Sequence, residues 1–205
     1  MIKAIIFDMD GVLVDSKKAW FVVFNKTLEH FEHKTVGKRE FEEKIWAKNF
    51  NETAKVYFSV NLAEIRDYYQ TLFNTFKENL GTFQDTSKVL DKLKQAGFRL
   101  IVATNTHREH AIRVLREVGL FKYFELVIGG DDVPNGKPEP DIILEAFKRL
   151  HLNAENVLYV GDTIWDSVAC KGADVRFVGF GIDGDFRIDT LSGLLAIIPK
   201  PGTPE

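Results

Sequence analysis

Five short apolar runs, with helical patterns between the later ones, constrain this chain more than any other feature. The runs are 2–7, 98–103, 126–128, 157–160 and 175–178. Each is rich in β-branched or aromatic residues and is bounded by Gly, Asp or Asn, as a buried strand is. Val89, Leu90 and Leu93 form an apolar helix face that stops at Gly97. Ala111, Ile112, Leu115 and Val118 form another that stops at Gly119. Ile142, Ile143, Ala146, Phe147 and Leu150 form a third, with Pro138 and Pro140 before or within its first turn. Strands alternating with helices predict an α/β fold: a Rossmann-like parallel sheet with right-handed crossovers.

One stretch breaks the alternation. From Ser16 to about Thr82 no strand pattern occurs. Trp20, Val23, Phe24, Thr27, Leu28 and Phe31 recur at helical spacing, and so do Ile65, Tyr68, Tyr69, Leu72, Phe73, Phe76 and Leu80. Phe41, Ile45, Trp46 and Phe50 predict a helix between them, and Val56, Tyr57 and Val60 one more. The helix around Val89 already supplies the crossover to the second strand. The segment 16–82 is therefore expected to be an inserted all-helical cap domain, with 1–15 and 83–205 forming the core. It enters just after the first strand, at the ligand-binding edge of such a sheet, where an insertion acts as a lid. The closing Pro199–Glu205, with three prolines, is expected to be a loose tail.

Composition narrows the function classes. With 45% hydrophobic and 28% charged residues the chain can build a core, so disorder is excluded. A net charge of −3 gives no electrostatic case for nucleic acid or an anionic membrane. The lone cysteine, Cys170, excludes an internal disulfide, and no Cys/His cluster suits zinc. The opening apolar run meets Asp8 at once, too soon for a signal peptide or a membrane span. A cytoplasmic protein is expected. Its oligomeric state is open, a monomer being compatible.

Four features fall at or beyond the strand ends. They are Asp8-Met9-Asp10-Gly11, Thr104-Asn105, Lys137-Pro138 at the start of a helix, and Gly161-Asp162 with Asp166. On a parallel sheet all four share one edge. Asp8, Asp10, Asp162 and Asp166 would then crowd together, and their repulsion would raise their pKa values unless a cation sat among them. Ligands offering only oxygen suit a hard ion, magnesium (Mg2+) above all. A lysine, a threonine hydroxyl and backbone N–H groups beside it suit a phosphate.

In this order these motifs resemble those of the haloacid dehalogenase (HAD) superfamily. The run Asp8-Met9-Asp10-Gly11-Val12-Leu13-Val14-Asp15-Ser16 is similar to its signature, in the branch of phosphoglycolate phosphatases and β-phosphoglucomutases. The resemblance implies a core with strand one central, flanked by the strands carrying the second and fourth motifs. It implies that Asp8 attacks phosphorus to form an aspartyl-phosphate and that Asp10 is the general acid and base. Magnesium would be held by Asp8, the Asp10 carbonyl and Asp162, with Asp166 acting through a bound water. Thr104, Asn105 and Lys137 would bind phosphoryl oxygens. Lys48 and Asn49 lie where relatives carry a loop lined toward substrate, and Trp20 is a further candidate there. The implied partner is a small phosphorylated metabolite.

Several residues have plainer readings. Asp15 suits a cap for the first inserted helix, His107 and His110 suit the surface, and Cys170 suits a packed helix. Three functions compete: a phosphatase acting on a phosphoglycolate-like monoester, a sugar-phosphate mutase, and a non-catalytic phosphate-binding module. Mutases of this branch usually carry a cap histidine where this chain has Trp20. A dehalogenase would not need Asp10, since a halide leaves without a proton. A phosphate-binding module would have lost catalytic residues, and none is missing.

Overall fold

The computed structural model describes residues 1–46, 48 and 50–198. Asn49 and the closing segment 199–205 lie outside the described residues. The chain divides into two compact units, one made of Met1–Val14 with the chain from Thr82 onward, the other of Asp15–Gly81.

The first unit carries β1 (Ala4–Phe7), α6 (Thr86–Gln95), β4 (Arg99–Ala103), α7 (Arg108–Glu117), β5 (Leu126–Ile128), α8 (Asp141–Leu150), β6 (Val157–Gly161), α9 (Ile164–Gly172), β7 (Arg176–Phe180), β8 (Phe186–Ile188) and α10 (Leu194–Ile197). The second holds α1 (Lys17–Glu32), α2 (Lys38–Lys44), α3 (Phe50–Tyr57), α4 (Leu62–Thr71) and α5 (Phe73–Glu78). Two short strands, β2 (Val14–Asp15) and β3 (Gly81–Thr82), pair where the chain leaves and re-enters the first unit.

The sheet runs β5-β4-β1-β6-β7-β8 and is parallel throughout. This is the Rossmann-like α/β core that the alternation predicts. All four residues of β1 are buried, which is why it reads as a continuous apolar run. Ala4, Ile6, Ile101, Ala103 and Tyr159 lie in one cluster with Ile142, Ile143 and Ala146 of α8 and with Ala169 and Cys170 of α9. Phe7 stands level with Val102 of β4 and Val160 of β6. Asp8, Thr104 and Asp162 follow within one or two residues, so they leave the sheet at one edge. Strand order reverses at β1, and beside such a reversal an open α/β sheet leaves a crevice.

The sixth strand, β8, is not among the five apolar runs. Only five residues separate it from β7, its parallel neighbour. Glycines make so short a return possible. A Cβ at Gly179 would lie 2.2 Å from the Ile182 carbonyl oxygen, one at Gly184 would lie 2.7 Å from the Phe177 ring, and Gly181 has φ +71°.

In the second unit Phe24, Leu28, Val36, Phe41, Ile45, Ala54, Phe58 and Ile65 form the core. The apolar spacing from Ile65 to Leu80 belongs to two helices, broken at Leu72, rather than one. Phe41 and Phe50 likewise belong to different helices. Ser16, not Asp15, stands at the N-cap of α1, and its side chain makes no capping hydrogen bond.

Candidate active site

β1 delivers Asp8 to the sheet edge, where its N–H still bonds to the Val160 carbonyl (2.9 Å). The chain then turns tightly, with the Gly11 N–H on the Val14 carbonyl (2.8 Å) and Gly11 at φ +87°. A Cβ at position 11 would come within 2.2 Å of Asp162 Oδ2. Glycine is thus required twice here, by conformation and by the carboxylate packed against it.

Lys137 is the electrostatic centre of the site. Its ammonium lies 2.8 Å from Asp8 Oδ1 and 2.7 Å from Asp166 Oδ1, with all three side chains at least nine-tenths buried. It also donates to the Tyr159 hydroxyl at 3.0 Å. Lys137 does not begin a helix as expected: α8 starts at Asp141, with Pro140 as N-cap. The lysine sits on the preceding loop, and Asn105 holds it there. Asn105 Nδ2 donates to the Lys137 carbonyl (3.0 Å), and Asn105 Oδ1 accepts from the Lys137 N–H (2.8 Å). The Asn105 amide therefore clamps the lysine's backbone.

Asp166 is fully buried and uses both oxygens. Oδ1 takes Lys137 and the Tyr159 hydroxyl (3.0 Å), while Oδ2 takes the N–H (3.1 Å) and hydroxyl (2.5 Å) of Thr163. The Asp166 N–H in turn donates to Thr163 Oγ1, completing a capping box at the start of α9. Thr104 is buried, and its hydroxyl oxygen accepts the Thr106 N–H at 3.1 Å. Asp10, half-buried, accepts from the Thr106 hydroxyl at 2.8 Å on Oδ2.

Burial drives the Asp8 carboxyl well above the usual carboxylate range. Lys137 pulls it back down, and Asp166, Asp162 and Asp10 push it up again. Burial alone would lower the Lys137 ammonium, but Asp166 and Asp8 hold it above the usual lysine range. Tyr159 is raised by burial and then by the same two carboxylates. One ammonium among four carboxylates leaves the site short of positive charge. At 4 Å in partly buried surroundings two like unit charges repel by about 4 kcal/mol. Asp8, Asp162 and Asp166 each offer an oxygen, all within 4.8 Å of one another. An all-oxygen, charge-deficient set of this kind fits a hard divalent cation.

The sheet edge thus gathers Asp8, Asp10, Thr104, Asn105, Lys137, Asp162 and Asp166. Trp20 and Lys48 belong to the second unit. Both are half-buried, and Trp20 packs edge-on against Tyr69 (6.1 Å between centroids) and Phe76 (4.7 Å). Three residues were not singled out from the sequence. A tyrosine inside a buried strand needs a partner for its hydroxyl, which is the signal Tyr159 carried. The Thr-x-x-Asp spacing of a capping box marked Thr163. Thr106 carried no signal beyond following the second motif. His107 is exposed and pairs with Asp131 (3.2 Å), whereas His110 is half-buried rather than on the surface.

A family model for haloacid dehalogenase-like hydrolases matches residues 5–180. The chain belongs to that family. This HAD hydrolase is 29% identical over 202 residues to a phosphoglycolate phosphatase of Neisseria gonorrhoeae, spanning 87% of this chain and 79% of that protein. It is 27% identical over 209 residues to the pyrophosphatase PpaX of Listeria welshimeri, spanning 96% of each. Among solved structures it is similar in fold to CbbY of Rhodobacter sphaeroides in complex with phosphate. The TM-score is 0.82 at 23% identity, over 95% of this chain and 96% of that one. Among the described residues no helix is long and apolar enough to cross a membrane.

Proposed function

We propose that this HAD hydrolase is a magnesium-dependent cytoplasmic phosphatase acting on a small phosphomonoester of the phosphoglycolate kind. The observation that carries the proposal is the buried Lys137 bridging Asp8 and Asp166, with Asp162 against Gly11 on the same sheet edge. That arrangement supplies a nucleophile, a fixed cation for phosphoryl oxygens and a cluster of oxygens for a metal ion. An Asp8 oxygen bonds to phosphorus as the ester P–O bond breaks, and Asp10 gives its proton to the leaving oxygen. Water then attacks the aspartyl-phosphate and passes a proton to Asp10. The P–O bond to Asp8 breaks, and inorganic phosphate leaves. Thr104 and Lys137 bind the phosphoryl oxygens, while Asn105 acts by clamping Lys137. Asp8, the Asp10 carbonyl and Asp162 would hold the magnesium ion, which would supply positive charge to offset the crowded carboxylates and the developing phosphoryl charge.

We assign substrate choice to the second unit, read as a cap, with Lys48 as its charged anchor and Asn49 and Trp20 as further candidates. Trp20 offers no proton-transfer group where mutases of this branch carry histidine, which favours hydrolysis over transfer between hydroxyls. The deciding experiment measures phosphate release from phosphoglycolate, hexose phosphates, pyrophosphate and an aryl phosphate, with magnesium and with EDTA. Turnover of a monoester that needs magnesium and vanishes in Asp8→Asn is the expected result. Asp8→Asn matching wild type would overturn the covalent role. Lys48→Ala should lower kcat/KM for phosphoglycolate roughly ten- to a hundredfold, the loss of one charge-assisted hydrogen bond, and spare the aryl phosphate. An equal fall for both removes Lys48 from substrate choice.

A further inference from the structure

We propose that Thr106 is a positioning residue that aims Asp10 for both of its proton transfers, an inference that rests on the phosphatase reading above. The Thr106 hydroxyl donates to Asp10 Oδ2 at 2.8 Å, joining residues 96 positions apart. Its own backbone is held at both ends. The Thr106 N–H donates to Thr104 Oγ1 (3.1 Å), and the Thr106 carbonyl accepts from the Gly130 N–H (3.1 Å). The loop after β5 reaches this carbonyl because Gly130 has no side chain. A Cβ there would stand 2.5 Å from the Asn105 carbonyl oxygen. Thr106 is therefore fixed by Thr104 in its own segment and by the loop after β5, and its hydroxyl donates to an oxygen of Asp10.

That contact divides the two oxygens of Asp10 by task. Oδ2 accepts the Thr106 hydroxyl and fixes the plane of the carboxyl group, and the transferable proton is routed through Oδ1. In the first step Asp8 bonds to phosphorus, the ester bond breaks, and the Oδ1 proton goes to the departing oxygen, leaving Asp10 as carboxylate. In the second step water bonds to phosphorus, its proton goes to Oδ1, and the bond from phosphorus to Asp8 breaks. A carboxylate free to rotate would present Oδ1 correctly for only part of the time. General acid–base catalysis contributes about 10²–10⁴-fold, and that contribution depends on placement.

The test uses pre-steady-state kinetics of Thr106→Val on p-nitrophenyl phosphate with saturating magnesium. Valine keeps the shape and removes the hydroxyl. Nitrophenolate leaves without needing a proton, so phosphorylation of Asp8 should stay fast. Hydrolysis of the aspartyl-phosphate still needs Asp10 as base and should slow. The expected trace is a burst of about one nitrophenolate per enzyme, then a steady rate roughly ten- to a hundredfold below wild type, with KM not raised. Thr106→Ser should restore the wild-type steady rate, because it returns the hydroxyl. It also provides the reading if valine disturbs folding: a serine enzyme that is well folded yet tenfold or more below the wild-type steady rate overturns the proposal. Wild-type kinetics in Thr106→Val overturn it as well, and so does an equal fall in burst rate and steady rate. A wild-type enzyme whose turnover survives Asp8→Asn overturns the phosphatase reading and this inference together. A wild type that depends on Asp8 beside an unaffected Thr106→Val overturns this inference alone.

Discussion

Replacing Lys137 with methionine removes one charge from the centre of the site while nearly conserving side-chain volume. Its ammonium stands 2.8 Å from Asp8 Oδ1 and 2.7 Å from Asp166 Oδ1, with the three side chains 4%, 7% and 0% exposed. At an effective dielectric of about 20 each contact is worth about 6 kcal/mol before desolvation is counted. The variant no longer desolvates an ammonium, but it leaves two carboxylates buried without their cation. Breaking a buried ion pair from one side costs about 3–5 kcal/mol, and that is the expected loss of stability at pH 7 without divalent ions. Tryptophan fluorescence in urea can report on each unit separately. Trp165 lies in the first unit, Trp20 and Trp46 in the second. In a Trp20→Phe, Trp46→Phe background, Lys137→Met should shift the Trp165 transition. In a Trp165→Phe background the remaining transition should stay in place. The deficit should also depend on pH. With the ammonium gone, the folded-state pKa of Asp8, already raised by burial, rises further above its unfolded value near 4. Stability then falls as pH climbs from about 4 through that raised value, more steeply than in wild type. The gap between variant and wild type should therefore be smaller at pH 5 than at pH 8. A deficit under about 1 kcal/mol, or one equal at both pH values, would refute the idea that Lys137 offsets the cost of burying these carboxyl groups.

Two further outcomes follow from the geometry. Asp162→Ala should weaken magnesium affinity in a calorimetric titration and leave folding nearly unchanged. Asp166→Ala should instead lower stability by about 2–4 kcal/mol, because it removes one half of the capping box of α9 and a partner of Lys137; equal behaviour of the two variants would contradict the separate tasks assigned here. Burial, then the nearby Arg113 and His107, lower the His110 pKa to about 4. The unfolded chain takes up that proton near pH 6.5, so stability should fall as pH drops from about 6.5 to about 4, by on the order of 2–3 kcal/mol. His110→Gln should flatten that part of the stability curve, and an unchanged slope would show that His110 takes its proton in the folded state.

The sheet was legible because β1, β4, β5, β6 and β7 are buried on both faces, so apolar runs alone mark them. β8 escaped because Arg187 interrupts its apolar pattern, and close approaches at Gly179 and Gly184 bring the chain back to the sheet after only five residues. Helices of the second unit were legible as apolar spacing but not in their ends, since Leu72 continues the apolar pattern through a break in the backbone. At the site, side chains that meet by following a strand directly could be placed from the sequence. Asp8 and Asp162 are of this kind. Contacts made through loops could not. The clamp of Asn105 on Lys137 depends on how the loop before α8 folds back, and the Thr106 hydroxyl reaches Asp10 from a loop whose carbonyl the Gly130 N–H holds. Tyr159 was hidden in plain view, as one more bulky residue in a buried strand.

The central position of β1 has a consequence for how the molecule is made. Its neighbours in the sheet are β4 and β6, which lie about 90 and 150 residues further along the chain. At a synthesis rate of about 5–20 residues per second, β1 waits on the order of ten seconds for its second neighbour. All the helices of the second unit leave the ribosome within that interval. Asp8 meets Asp162 and Asp166 only when β6 and the start of α9 have followed. A nascent chain shorter than this can hold the whole inserted unit and still have no catalytic centre.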